Sequence, residues 1–516
     1  MRKRVLILLL FFGCIFGAQA QQLSGQRSPF VVKGFHLDLR VQVMTIDALK
    51  AFALKLHDLG INTLIMEWEG TYPFEKHPLI PNRYAYSREQ VVSFIKYCNG
   101  LGIEVIPLQQ SFGHVEYILR NDRYKDLRED QKDYSQVCPL QTRLDSALFT
   151  DLYTDLASTH TSKYIHIGGD ETYLLGHDKR CRLMAAKEGK SKLYIDYIRM
   201  LCNIVIRLGK KPVLWADIAL KYPDAIKLLP AGTVFIDWNY GWDMNHFGDH
   251  EKLLKSGYEI WGAPAIRSSP DNYFLTEWEK HFKNIRDFIP AAAKMGYRGI
   301  VMTSWSTSGQ YSPVFESEEE MTEEYAIRHV YPLSGFNMLV AAYAEVIKSS
   351  KQLGIEEFIK KYDAEQYGFN AAESETFWNA LKTTPYEIHQ GKVESPTPMS
   401  IKQLMDSSNS AMDRLYSLHP QKNKEEFEHY KVMAEIRTNY LSFHYLLAKA
   451  NAPGFGAAEL QQTLKELKHL LMGQDIVDMH FAELNKNFLY PAEIKEENEL
   501  RDIRAKLLYD RLSRAK

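Results

Sequence analysis

The chain has 516 residues, 45% of them hydrophobic and 25% charged, with 63 Lys and Arg against 65 Asp and Glu and hence a net charge of −2. These values exclude wholesale disorder and a collagen-like repeat, and the absence of a basic block leaves no electrostatic footprint for nucleic acid. A chain this long can bury a large core without disulfide staples.

At the N-terminus, residues 1–4 (MRKR) are basic, residues 5–17 are apolar, and Ala18-Gln19-Ala20 fits a small-residue cleavage site. Residues 1–20 read as a secretory signal peptide, which predicts export to the periplasm or the extracellular space. Cys14 lies within it, and Phe11-Phe12-Gly13 does not match a lipid-attachment box. No later stretch offers about 18 uninterrupted apolar residues, so the mature chain is not expected to span a membrane.

Eight short β-branched runs follow, at 30–40, 61–69, 103–110, 164–171, 211–218, 233–240, 259–266 and 298–306. Most gaps between them carry helical periodicity that stops at a glycine. Residues 45–60 place Ile46, Leu49, Phe52, Ala53 and Leu56 on one face before Gly60. Residues 87–100 open on Ser87 with Gln90 three positions on, the spacing of a capping box. Residues 193–209 and 282–296 repeat the theme. The alternation predicts an α/β fold, a (β/α)8 TIM barrel over 28–350, with its active site at the C-terminal ends of the strands. An open doubly wound sheet would want a glycine-rich phosphate loop after the first strand, and none is present.

Beyond residue 350 the strand pattern stops. Amphipathic helices are expected at 355–367, 373–380, 400–418, 424–450, 458–471 and 493–512, with 391–398 (GKVESPTP) as a linker. This predicts an α-helical C-terminal domain over 351–516, whose expected role is structural support or a homodimer contact.

Cys98 and Cys202 fall in apolar-periodic stretches and read as small buried hydrophobes. Cys138 and Cys181 fall in loops that leave neighbouring strands on the same barrel face; this allows a disulfide between them, a pairing the sequence leaves open. No C-x-x-C pair occurs, and the His246 to His250 spacing contains Gly248 and lacks the Glu of H-E-x-x-H. No metal and no cofactor are expected.

Polar and aromatic residues gather where the strands end. Asp38 and Arg40 close the first strand, Glu67, Trp68 and Glu69 the second, and Gln109, Gln110, Ser111 and His114 the third. Asp170 and Glu171 close the fourth; Trp215, Asp217, Asp237, Trp238, Tyr240, Trp261 and Trp305 complete the circuit. Carboxylates and tryptophans on one rim point to a sugar pocket, since aromatic faces suit the C–H faces of a pyranose and carboxylates and Arg suit its hydroxyls. Glycosidases with an enzymic nucleophile or base hold two carboxyls about 5–5.5 Å or 6.5–9.5 Å apart. Here the best acidic pair, Asp170-Glu171, is adjacent. Neighbours on a regular strand face opposite ways, so both reach one pocket only if Gly168 and Gly169 bend the strand end. Such a pair suits an acid plus a helper for a nucleophile carried by the substrate.

The segment His166-Ile167-Gly168-Gly169-Asp170-Glu171 resembles the H-x-G-G-D-E motif of glycoside hydrolase family 20, the β-N-acetylhexosaminidases. The similarity covers roughly residues 30–330. It implies a retaining exo-glycosidase that releases terminal GlcNAc or GalNAc from glycans through an oxazolinium intermediate. By the same resemblance Glu171 is the general acid/base, and Asp170 orients the 2-acetamido group that attacks the anomeric carbon. Arg40 resembles the arginine that grips sugar hydroxyls, and His114 the histidine of the family's P-G-H segment, with Phe112 in place of proline. Trp215, Trp238 and Trp305 match pocket tryptophans, Trp305 being the candidate to stack under the ring. Tyr240 and Tyr273 compete for the tyrosine on the acetamido oxygen. About ten residues separate the expected cleavage site from the first strand; with Glu67-Trp68-Glu69, this barrel-first layout looks like the hexosaminidase D branch, which lacks the α/β domain that precedes most family barrels.

His166 reads as a buried structural histidine, and the acidic run from Glu316 to Glu324 as a solvated face. Two other functions fit the same rim. One is a retaining barrel glycosidase whose nucleophile is Glu69 or Asp237, and the other an exported glycan-binding protein without turnover.

Overall fold

The structure, a computed structural model, describes residues 28–515 except 245, 249, 269–270, 272–274, 308–328 and 390. The signal-peptide segment, Tyr273 and the acidic run from Glu316 to Glu324 therefore lie outside the described residues.

Eight parallel strands form the barrel: β1 (Val32–Asp38), β2 (Thr63–Glu67), β3 (Glu104–Leu108), β4 (Tyr164–His166), β5 (Lys211–Trp215), β6 (Val234–Trp238), β7 (Glu259–Ala263) and β8 (Gly299–Ser304). They pair in chain order, and β1 bonds to both β2 and β8, with Gly34 opposite Thr63 and Val32 opposite Gly299. The sheet is closed. Past Pro264, Ala265–Arg267 adds a short strand against the end of β8.

Strand alternation sets the two faces. On β1, Phe35 and Leu37 turn outward into the main core, where Phe35 meets Phe52 of the helix Ile46–Asp58 edge-on at 5.1 Å. His36, between them, turns inward to Glu67 and Trp305. The barrel interior is filled by Ile65, Ile106, Val213, Val234, Ile236 and Val301, all buried. Each such side chain contributes about 1.5–3 kcal/mol by leaving water.

Helices start where the sequence marks them. Thr45 Oγ1 accepts the amide of Ala48 at 3.1 Å, and Ser87 and Gln90 form the expected reciprocal capping box. Among the described residues, three helices of ten or more residues lie outside the sequence-based set: Thr142–Thr159, Lys179–Glu188 and Asn337–Ser349. The first opens at Gln141 without a side-chain cap and is rich in Thr and Asp, which weakens its local signal.

Six helices follow residue 350: Ile355–Gln366, Ala371–Leu381, Ile401–Ser417, Lys424–Ala450, Ala457–Asn485 and Pro491–Arg514. The fifth runs 14 residues beyond its expected end at residue 471 and passes through Gly473. A mid-helix glycine costs about 1 kcal/mol, which burial of Leu470, Val477 and Phe481 on either side offsets. The expected linker at 391–398 instead begins as the second strand of a hairpin, Glu387–His389 with Lys392–Glu394, and Gly391 takes φ 76° at its turn. Tyr343 Oη donates to the carbonyls of Gly34 and Ile300 at 2.6 and 3.1 Å, and Thr45 donates its amide to Phe488 O at 2.9 Å, which ties later helices to the barrel. No helix among the described residues is long and apolar enough to cross a membrane.

Cys98 and Cys202 are buried as expected. Cys138 and Cys181 do meet, beside Glu129, but the pair is unbonded: the sulfurs are 3.3 Å apart, against about 2.05 Å for a disulfide.

Candidate active site

A cavity of about 290 Å³ opens beyond the C-terminal ends of the strands. Asp170, Glu171, Arg40, His114, Trp215, Trp238, Tyr240 and Trp305, the eight residues singled out from the sequence, all line it. The acidic pair reaches it as the glycines require. Strand β4 ends at His166; Gly168 and Gly169 then take φ 73° and 96°, and Glu171 itself sits at φ 47°. A left-handed backbone at a non-glycine residue carries strain, which the surrounding contacts hold. His114 is also left-handed, at φ 54°, and a Cβ on Gly113 would lie 2.6 Å from the Asp170 carbonyl oxygen. Only glycine lets these two loops approach so closely.

His114 Nε2 stands between the carboxylates, 3.5 Å from Asp170 Oδ2 and 3.1 Å from Glu171 Oε2. Burial pushes its imidazolium down, but the two carboxylates outweigh that and hold its pKa well above the ordinary value. Burial likewise pushes Glu171 up, while hydrogen bonds from His114 and Tyr173 and the charges of His114 and Arg40 bring its carboxyl below the usual range. Asp217, whose Oδ2 accepts the Glu171 amide at 3.2 Å, is pushed up to about 7 by burial and by the Asp170 charge. This is a like-charge cluster in which one carboxyl keeps its proton well above the ordinary carboxylate range.

Arg40 binds Asp38 through two guanidinium nitrogens at 3.0 and 3.1 Å, and Ser306 donates its amide and hydroxyl to the same carboxylate at 2.8 Å. These bonds outweigh the burial of Asp38 and lower it to about 2. Arg40 is thus ion-paired with Asp38 and still faces the cavity, 5.1 Å above the Trp305 ring. Trp305 Nε1 donates to Tyr240 Oη at 2.8 Å, and its ring leans on Trp215 and His36. Asp170 Oδ1 and the indole nitrogens of Trp215 and Trp238 are buried without a hydrogen-bond partner among the described residues. These three atoms, an acceptor and two donors, belong to residues that line the cavity.

Other rim residues do not line the cavity. Trp68 is buried in the core and donates to His160 Nε2 at 3.0 Å, while Trp261 packs on Tyr164 inside the barrel. Glu67 is bound by His36 and Gln110, and His166 is buried with its Nδ1 accepting the Gly168 amide. The two alternative nucleophiles are also elsewhere: Glu69 is buried off the cavity, and Asp237 is held by His250 at 2.9 Å and Tyr297 at 2.6 Å. His246 and His250 diverge, the former stacking on Trp242 at 5.0 Å. Tyr173, Trp242 and Phe247 line the cavity without having been named from the sequence, and His246, weighed there only for its spacing to His250, lines it too. Each sits in a loop beyond a strand end, where no periodicity marks direction; only the proximity of Tyr173 to Glu171 was a usable signal.

Residues 62–354 match the model of glycosyl hydrolase family 20, catalytic domain. The chain belongs to this family. It is therefore a family 20 glycoside hydrolase, and its barrel is the family's catalytic domain. It is 27% identical over 298 residues to hexosaminidase D of Bos taurus, covering 54% of this chain and 86% of that one. Against hexosaminidase D of Homo sapiens it is 26% identical over 311 residues, 57% of this chain and 64% of the relative. A β-N-acetylhexosaminidase of Cellulomonas fimi is 26% identical over 312 residues, 53% and 58% of the two chains. Among solved structures, β-N-acetylhexosaminidase from Bacteroides fragilis superposes with a TM-score of 0.48 at 18% identity, over 66% of this chain and 70% of that one.

Proposed function

We propose that this family 20 hydrolase is an exo-acting β-N-acetylhexosaminidase that releases terminal GlcNAc or GalNAc with retention of configuration, the substrate's own acetamido group acting as nucleophile. One observation carries the reading: among the described residues, the only carboxylates lining the cavity are Asp170 and Glu171, adjacent in sequence and joined through His114. A sugar seated there meets an acid and a second carboxylate on the same side, with none of the described carboxylates across the ring to attack it. Asp170, with Oδ1 unpartnered, would accept the acetamido N–H and sharpen the carbonyl oxygen as it closes on C1. Glu171 would protonate the leaving oxygen, then take a proton from the water that opens the oxazolinium ring. Arg40 would grip ring hydroxyls, Trp305 would carry the sugar face, and Trp215, Trp238 and Tyr240 would close round the acetamido group. The three names of relatives given above, all hexosaminidases, support the sugar class.

The test is hydrolysis of aryl β-glycosides of N-acetylglucosamine, N-acetylgalactosamine and glucose, with Asp170→Asn alongside. Cleavage of the acetamido sugars alone is expected, with turnover in the variant reduced by about 10²–10³-fold. Near-native turnover by Asp170→Asn, or equal cleavage of the glucoside, would overturn substrate assistance. Residues 1–20 further support export of the chain. An N-terminal sequence beginning near residue 21 in a periplasmic or culture fraction is the expected result.

A further inference from the structure

Both oxygens of Glu171 are occupied. His114 Nε2 holds Oε2 at 3.1 Å, and the Tyr173 hydroxyl donates to Oε1 at 2.8 Å. The two donors differ in kind. His114 is buried on a left-handed backbone, packed under the Asp170 carboxylate. Tyr173 is 57% exposed at the edge of the same cavity, with the Lys221 ammonium 5.8 Å from its ring centroid. A glycosidic oxygen must come within about 2.6–3.2 Å of a Glu171 oxygen to receive its proton. Oε2 is committed to a histidine fixed in the wall, so the leaving oxygen must take the side now held by the exposed phenol.

We propose that Tyr173 is a positioning residue that holds Glu171 ionised in the empty pocket and surrenders Oε1 to the leaving oxygen when a glycoside is seated. The inference rests on the reading of Glu171 as leaving-group acid. Loss of the phenol's hydrogen bond, together with exclusion of water by the aglycone, favours the neutral carboxyl, which takes its proton from solvent as the site fills. In the chemical step the Glu171 O–H bond breaks, a bond forms from that proton to the glycosidic oxygen, and the C1–O bond cleaves as the acetamido oxygen bonds to C1. The alcohol departs with the proton, and the hydrolytic water later returns one to Glu171. The groups that face Glu171 are His114, Asp170, Arg40 and Tyr173, with Asp217 behind its amide and Lys221 beyond the phenol. Of these donors and charges, Tyr173 alone combines exposure with a direct bond to the acid. Its hydrogen bond is one of the causes that bring Glu171 below the usual carboxylate range against the upward push of burial.

The experiment is a pair of pH–rate profiles, kcat/KM and kcat, for the wild type and Tyr173→Phe on an N-acetyl-β-glucosaminide with an alkyl or sugar leaving group, which departs only with a proton. A hydrogen bond to the charged form lowers a carboxyl pKa, so its removal must raise it. In Tyr173→Phe the alkaline limb of kcat/KM, which reports the free enzyme, is expected to move up by about half to one pH unit. The alkaline limb of kcat stays in place, because the phenol is already displaced in the complex. Thermal melts should match, since the ring is exposed. A kcat/KM limb that does not move, or both limbs moving together, would overturn the proposal. Glu171→Gln, run on activated and unactivated leaving groups, separates the two failures. Equal losses on both remove the acid itself, whereas a spared activated substrate with an unmoved Tyr173→Phe limb removes only the role of Tyr173.

Discussion

Glu171 is held by opposing influences: burial favours its neutral form, while His114, Tyr173 and Arg40 favour the anion. An acid that must also serve as base needs this balance. Glu171→Gln should lose far more activity on alkyl or sugar leaving groups than on a nitrophenol, which departs without a proton. The ratio of the two losses, measured as kcat/KM, is the readout, and a ratio near one argues against the assignment. His114 is equally exposed to test. It is held protonated by two carboxylates, so His114→Ala leaves Asp170 and Glu171 in mutual repulsion with Asp217 nearby. The kcat/KM profile of that variant should shift to higher pH, because the lost imidazolium no longer favours the ionised Glu171.

The element that matters most is the turn after β4. Its six-residue motif carried the family resemblance, and the two glycines already implied that the strand end must bend. The bend is present, at φ 73° and 96°. The sequence could not show that Gly113, in another loop, is cut to the same contact, 2.6 Å from the Asp170 carbonyl at the Cβ position. Gly113→Ala should therefore push the His114 loop off the acidic turn. The expected result is a kcat at least 10-fold lower with a melting temperature reduced by several degrees, in line with the roughly 1–3 kcal/mol that overpacking costs. A variant with native kcat would show that the loops can part without harm.

On the scale of the whole molecule, stability should fall as pH rises from about 6 to 8. Burial pushes Glu116, Asp217 and Asp363 up to about 7 and Glu493 up to about 8. In the unfolded chain such carboxyls lose their protons near pH 4. Between those values the folded state binds more protons than the unfolded state, so the stability they contribute declines as pH climbs through the folded values. The raised His114 acts in the same direction, being favoured below its unfolded value near 6.5 and losing that contribution as pH rises through the folded one. Calorimetry across pH 6 to 8.5 should give a falling melting temperature, and a rising one would contradict the burial of these groups.

Chain order and local pattern were enough to determine the eight strands, most barrel helices, the helical region after residue 350 and the rim of strand-end residues, because periodicity, caps and the His166 to Glu171 motif are local properties; the eight cavity residues were drawn from that rim by the family resemblance. Direction was not local. Trp68 and Trp261 stand at strand ends like Trp305, yet they face the core and the barrel interior, and Asp237 is consumed by His250 and Tyr297 from distant elements. Tyr173 and Trp242 enter the cavity from loops whose course depends on what they pack against. Which polar side chain meets the sugar and which meets the protein is decided by contacts across the barrel, and those exist only once the sheet has closed.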